Sequence, residues 1–222
     1  MQTISNFQII RSQRRTIAVL IAPTGELIVK APLKVSDRAI NSFLSQNEEW
    51  IQEHLEKAGK KPAVTKHTYT NGDTFLFLGE KVILTIGNYA EVKVRDGKLL
   101  FPQSLVFRIK KELETFYIRK AREMIAAQVA RYAKDMGAEY KEITFSDTKS
   151  QWGRCTHDNR LQFSWRLTMA PLLVVNYVVV HELAHTFEKN HTQWFWGKVR
   201  NYNPSYRQQI KWLKENGHTL VI

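Results

Sequence analysis

The stretch from Leu172 to His191 constrains this chain more than any other. It begins as an almost wholly apolar run, LLVVNYVVV, and passes directly into His181-Glu182-Leu183-Ala184-His185. A run this apolar has to be buried over most of its surface. Its β-branched residues mean that packing, rather than intrinsic propensity, must hold it helical. On an α-helix, positions i and i+4 share one face, so the imidazoles of His181 and His185 can reach a single metal ion. Glu182 projects about 100° around the axis, close enough to touch a water beside that ion without ligating it. The competing reading is a surface helix end with ordinary polar residues. The apolar run, the small Ala184 and a third histidine nearby argue against it.

A catalytic zinc site takes three protein ligands and keeps a fourth position open for water. His191 follows His185 by six residues, just after Asn190, a residue type that tolerates the left-handed conformation at helix ends. A turn there is expected to swing His191 back toward the metal. A glutamate from a following helix is poorly supplied, because no Asp or Glu occurs between Lys189 and Lys214. Glu188 lies one turn further along the first helix, and Glu215 is near the chain end. The expected site is therefore Zn2+ held by His181, His185 and His191. A bound zinc lowers the pKa of its water to about 7, and Glu182 is expected to take the proton as general base.

Other residues are candidates of lower weight. Arg154, His157, Tyr202 and Tyr206 could contact the substrate or its oxyanion, although structural roles are the simpler expectation for each. Cys155 could ligate zinc in a latent state, but a buried inert thiol is the commoner role. Trp152, Trp194, Phe195 and Trp196 read as core. The stretch 160–167 is the expected edge strand that would align a peptide by main-chain hydrogen bonds.

The remaining pattern predicts an α+β fold with a boundary near residue 103. In the region 1–103, FQIIRS and TIAVLIAP flank a basic turn at Gln13-Arg14-Arg15, and ELIVKAP follows Gly25. One helix is expected from the Ser36-Asp37 cap to Gly59. A polar connector, a hairpin turning at Gly79 and a strand pair turning at Asp96-Gly97 come next. In the region 104–222, a helical period runs from Leu105 to Gly137, either as one helix or as two. EITFSDT and RLQFSWRLT read as strands. Pro171 opens the motif helix, a second helix starts near Thr192, and Pro204 stands in the first turn of a third. The result is a β-rich front half followed by a minimal catalytic domain with a short mixed or antiparallel sheet.

Composition excludes several classes. No stretch of about 18 apolar residues occurs, so nothing is expected to span a bilayer, and MQTISNFQIIRSQRR does not read as a secretory signal. A single cysteine suits a reducing cytoplasm. The formal charge of +12 is high, and it is partly concentrated in 189–214. That run is either a solvated basic face or a rim that gathers DNA or another anionic partner.

SQWGRC, RLQFSWRLTMAP, VVVHELAH and NHTQWFW together resemble the YgjP-like metal-dependent hydrolases, relatives of SprT-type zincin peptidases. WIQEHLEK and FLFLGEKVILTI look like that family's β-rich front half, so the resemblance covers most of the chain. The family's usual Trp-Gly-Ser-Cys run is Trp152-Gly153-Arg154-Cys155 here, so no role for that serine carries over. The resemblance implies a minimal zincin core with the three histidines on zinc and Glu182 as base, acting on a peptide or protein. Two other functions compete. One is a metal-dependent nucleoside triphosphate hydrolase, for which no glycine-rich phosphate loop is present. The other is a non-catalytic nucleic-acid-binding module with structural zinc, in which an intact Glu182 would have no purpose.

Overall fold

The computed structural model describes residues 7–21, 26–59, 62 and 64–222. Gly25 and residues 60, 61 and 63 of the polar connector lie outside the described residues. The chain divides into two compact units, Met1–Ala63 and Val64–Ile222.

In the first unit, β1 (Phe7–Ser12), β2 (Ala18–Ile21) and β3 (Leu27–Pro32) form a sheet in the order β1-β3-β2. The two strands flanking the basic turn pair with β3 rather than with each other, β1 parallel and β2 antiparallel. Leu27, Val29 and Ala31 alternate inward and pack with Ile40, Leu44 and Ile51. Those last three lie on α1 (Asp37–Gln46) and α2 (Glu48–Gly59). The Ser36 hydroxyl caps α1 as expected, accepting the Ala39 N–H at 3.3 Å. The single helix expected here is two, broken at Asn47. Its side chain donates to the Phe43 carbonyl at 2.8 Å, a local bond that competes with helix continuation.

In the second unit, β4 (Thr74–Phe77), β5 (Glu80–Gly87), β6 (Lys93–Arg95) and β7 (Lys98–Pro102) form a sheet in the order β4-β5-β7-β6. Both expected turns are present. Leu78 and Gly79 have φ of +52° and +86°, Asp96 and Gly97 +49° and +70°, the paired positive values of a type I′ hairpin. The helical period from Leu105 resolves into a 3-10 stretch, Gln103–Arg108, and one 28-residue helix, α3 (Ile109–Met136). Gly137 ends it at φ +66°. Phe75, Leu84, Leu99 and Phe101 share one core with Leu113, Phe116 and Tyr117 of α3. The change of period near residue 104 thus marks a switch from strand to helix inside one core, and the compact units divide at 63/64 instead.

A second sheet, in the order β8-β10-β9, is built from β8 (Glu142–Ser146), β9 (Gly153–Cys155) and β10 (Arg160–Ser164). It is mixed, with β8 parallel and β9 antiparallel to β10. The strand expected through 167 stops at Ser164, and Trp165–Met169 winds into a buried 3-10 turn. The alternation of Leu161, Phe163, Trp165 and Leu167 outlasts the strand because the turn is buried on all sides. Since β10 is central, it cannot be the substrate-aligning edge; the outer strands are β8 and β9, and β9 is the one set against the motif helix.

The 3-10 turn also anchors the motif helix. Leu78 N–H donates to the Thr168 carbonyl at 2.8 Å and Gly79 N–H to that of Met169 at 3.0 Å. A Cβ on Gly79 would stand 2.7 Å from Cγ of Pro171, so only glycine lets the hairpin tip seat there. Pro171 is the N-cap of α4 (Leu172–Ala184). Thr192 caps α5 (Gln193–Tyr202), accepting the Phe195 N–H at 3.4 Å. The last α-helix, α6 (Tyr206–Asn216), has Ser205 at its N-cap position, so Pro204 lies just before it rather than in its first turn. Among the described residues no helix is long and apolar enough to cross a membrane.

Candidate metal centre

Nearly every residue of α4 from Val174 to Ala184 is buried, which is what its sequence requires. The helix ends with His185 at the C-cap in right-handed helical conformation, its N–H still bonded to the His181 carbonyl at 3.3 Å. Beyond it the chain reverses without the left-handed residue expected at Asn190, which is absent from the positive-φ positions. The turn is closed by other bonds. The Glu188 carboxylate accepts the Asn190 N–H at 3.0 Å, and Thr192 N–H donates to the Asn190 carbonyl at 2.8 Å.

That reversal returns His191 to the motif. Among the described residues, His181, His185 and His191 form a group whose ligand atoms lie within 4.8 Å of one another. Nε2 of His181 and Nε2 of His191 stand 3.1 Å apart. Two ligands of a tetrahedral zinc at about 2.0–2.1 Å are separated by about 3.3 Å, so this pair fits a shared ion. His185 uses Nδ1 toward the Glu188 carbonyl at 3.0 Å, which leaves Nε2 to point at the metal, the tautomer a ligand needs. Tyr177 Oη lies 3.4 Å from Nδ1 of His181 and can serve the same orienting purpose. Burial, and then the neighbouring histidines, pull the His181 pKa down to about 3, and burial lowers that of His185 too. Neutral imidazoles are the ligand form. The donor set fits zinc.

The three rings rest on aromatic side chains. Phe195, fully buried, is 4.9, 4.4 and 4.6 Å by ring centroid from His181, His185 and His191. Trp196 stacks on His191 at 5.5 Å, and Tyr206 stacks behind Trp196 at 5.2 Å. Phe195 and Trp196 therefore act as a floor and a backstop for the histidines. Trp194 departs from the core role expected of it, being 85% exposed at the start of α5.

Glu182 is 5% exposed. Burial pushes its pKa up to about 8, opposed by a hydrogen bond from the Cys155 N–H. The carboxyl group is held against β9, where a Cβ on Gly153 would come within 2.6 Å of its Cγ and nearer still to Oε1. An isolated glycine in a strand signals such a close approach, and this one went unread in the sequence. Gly153→Ala is expected to displace Glu182, costing about 1–3 kcal/mol of stability and at least about tenfold in turnover. Unchanged melting and activity would show that the contact has no consequence.

The histidines and Glu182 open into a cleft of about 430 Å³ that Arg154, Cys155, His157 and Lys189 also line. Arg154 and His157 are exposed there, as a substrate contact requires. Lys189, the first residue of the basic run, ties the end of the motif to the β9–β10 turn. Its ammonium donates to the Thr156 carbonyl at 2.9 Å and to Asn159 Oδ1 at 2.6 Å. Cys155 is half-buried, and burial raises its thiol pKa; it is not in the three-histidine group. Tyr202 is not brought to the cleft, since its hydroxyl donates to the Asp135 carbonyl at 3.1 Å. Tyr206 stands behind Trp196 and also does not line the cleft.

The model of the YgjP-like metallopeptidase domain matches residues 15–216. No curated protein and no solved structure gives a significant match. The match spans nearly the whole chain, including every residue of the centre just described, and it marks the protein as a metal-dependent hydrolase of peptidase type. The chain belongs to the YgjP-like metallopeptidase-domain family.

Proposed function

We propose that this protein is a cytoplasmic zinc-dependent peptidase in which His181, His185 and His191 hold the metal and Glu182 is the general base. The observation that carries this reading is the placement of a buried carboxyl group beside three converging imidazoles, under an outer strand. Zinc bound there would supply a Lewis acid for the scissile carbonyl and an acidified water. Glu182 receives the water's proton and returns it to the leaving amine. Gly153 and Cys155 hold that carboxyl group in place. Arg154 and His157 stand in the cleft where they can meet the oxyanion or the substrate chain. Incubating zinc-loaded protein with denatured casein, beside a nucleoside triphosphate panel, tests the reading. Peptide cleavage with intact nucleotides is expected, and nucleotide hydrolysis with intact casein would replace this reading with the phosphoanhydride one.

The basic run 189–214 is open to a separate test. Lys189 is engaged with the β9–β10 turn, and Lys198 lies 3.6 Å from the Phe187 ring centroid. Arg200 and Arg207 are exposed. If this face binds DNA, neutralising Lys198, Arg200 and Arg207 together lowers the log–log salt slope of binding by up to about three. An unchanged slope, or no affinity at low salt, makes the run a solvated face.

A further inference from the structure

The metal centre opens in two directions of opposite chemistry. On one side stand Arg154, His157 and Lys189. On the other a cavity of about 250 Å³ leads from Gly153 and Glu182 between Trp152, Tyr177, Val178 and Leu213. A neighbouring cavity of about 440 Å³ shares Trp152, Tyr177 and Leu213 and adds Ile210, and Lys149, Lys214 and His218 line it as well. The walls come from separate elements: Tyr177 and Val178 from α4, Ile210 and Leu213 from α6, and Trp152 from the residue preceding β9. Nothing in the proposed chemistry uses this apolar groove.

The Trp152 ring packs closely against Gly217, which lines the same cavity. A Cβ on Gly217 would meet its Cζ2 at 2.6 Å, so the indole sits against a backbone position kept free of a side chain.

The direction of a bound chain follows from β9. Trp152 and Thr156 spend their main-chain groups on β10: Ser164 N–H donates to the Trp152 carbonyl at 2.9 Å and Thr156 N–H to the Arg160 carbonyl at 2.9 Å. By the alternation of an antiparallel pair, Gly153 and Cys155 turn theirs to the outer side, where the Cys155 N–H already meets the Glu182 carboxyl group, so the Gly153 groups and the Cys155 carbonyl are the ones open to a peptide. A peptide adding there gains the more stable ladder if it runs antiparallel to β9. Its N-terminal part then lies toward His157 and its C-terminal part toward Trp152.

We propose that the groove between Trp152, Tyr177 and Leu213 is a specificity subsite for a large apolar side chain, carried by the residue immediately after the scissile bond. The subsite rests on the peptidase reading above. Burying such a side chain next to the reacting carbonyl favours Phe, Leu, Tyr, Ile or Met over Gly, Asp or Lys at that position.

The test is to digest denatured casein with the zinc-loaded protein and sequence the new N-termini by mass spectrometry. Large apolar residues should dominate the first position after the cut. Leu213→Trp, which fills the groove, should lower the ratio of large apolar to Gly and Ala at that position by about tenfold. A flat distribution, a preference located before the cut, or a preference unmoved by Leu213→Trp would overturn the subsite while leaving the peptidase intact. If no cleavage occurs, the peptidase reading fails and the groove is judged by binding alone. N-acetylphenylalanine amide, and not N-acetylglycine amide, should then shift the Trp152 indole N–H resonance of the wild-type protein. Absence of that shift overturns the subsite as well.

Discussion

Glu182→Gln is expected to reduce hydrolysis by about 10²–10⁴-fold while zinc content stays at the wild-type level. Glutamine occupies the same space against Gly153, and its amide oxygen can still accept the Cys155 N–H, so the shape of the site survives. What is lost is the group that takes a proton. The variant should melt no lower than the wild type, because burial disfavours the charged carboxylate and a neutral amide carries no such cost. Zinc by mass spectrometry, casein turnover and a thermal melt check the three parts. Retained activity would show that Glu182 is not the base, and loss of zinc would show that it is a ligand.

His191→Ala is expected to lose zinc affinity and activity together, by more than about 100-fold in affinity, since even the partners that orient ligands are worth 10–100-fold. The contrast lies three residues earlier. Glu188→Ala should keep both properties, because the atom that positions His185 is the Glu188 carbonyl, which alanine retains. Its carboxylate accepts only the Asn190 N–H in this turn. Titrating zinc into metal-free wild-type and variant proteins separates the two. An equal loss in both variants would mean that the turn, rather than the imidazole, sets the affinity.

The parts of this protein that the sequence displayed are those where chemistry and period coincide in one stretch. The apolar run into His181-Glu182-Leu183-Ala184-His185 announced a buried helix with two ligands on one face. Gly79 and the Asp96-Gly97 pair announced their hairpins. Where tertiary pairing decides, the pattern was silent. β9 is only Gly153–Cys155, too short to alternate, and it becomes a strand because β10 offers it a partner. The alternation at 160–167 therefore points to the wrong strand of the sheet as its outer one. Tyr202 and Tyr206 looked equivalent to any tyrosine of the site in sequence, but packing sends one hydroxyl to Asp135 and puts the other residue behind Trp196. Tyr177, four residues before His181, was the tyrosine at ligand spacing, hidden in the apolar run. Trp194 was read as core by residue type, yet its place in the first turn of α5 leaves it in solvent.

The most direct test of the proposed centre is an anomalous difference map at the zinc edge from crystals of the zinc-loaded protein. A single peak bound by Nε2 of His181, His185 and His191 at about 2.0–2.1 Å, with water or a substitute in the fourth position and Glu182 beside it, is the result expected. A peak coordinated through Glu188 or Glu215, with His191 turned to solvent, would contradict it.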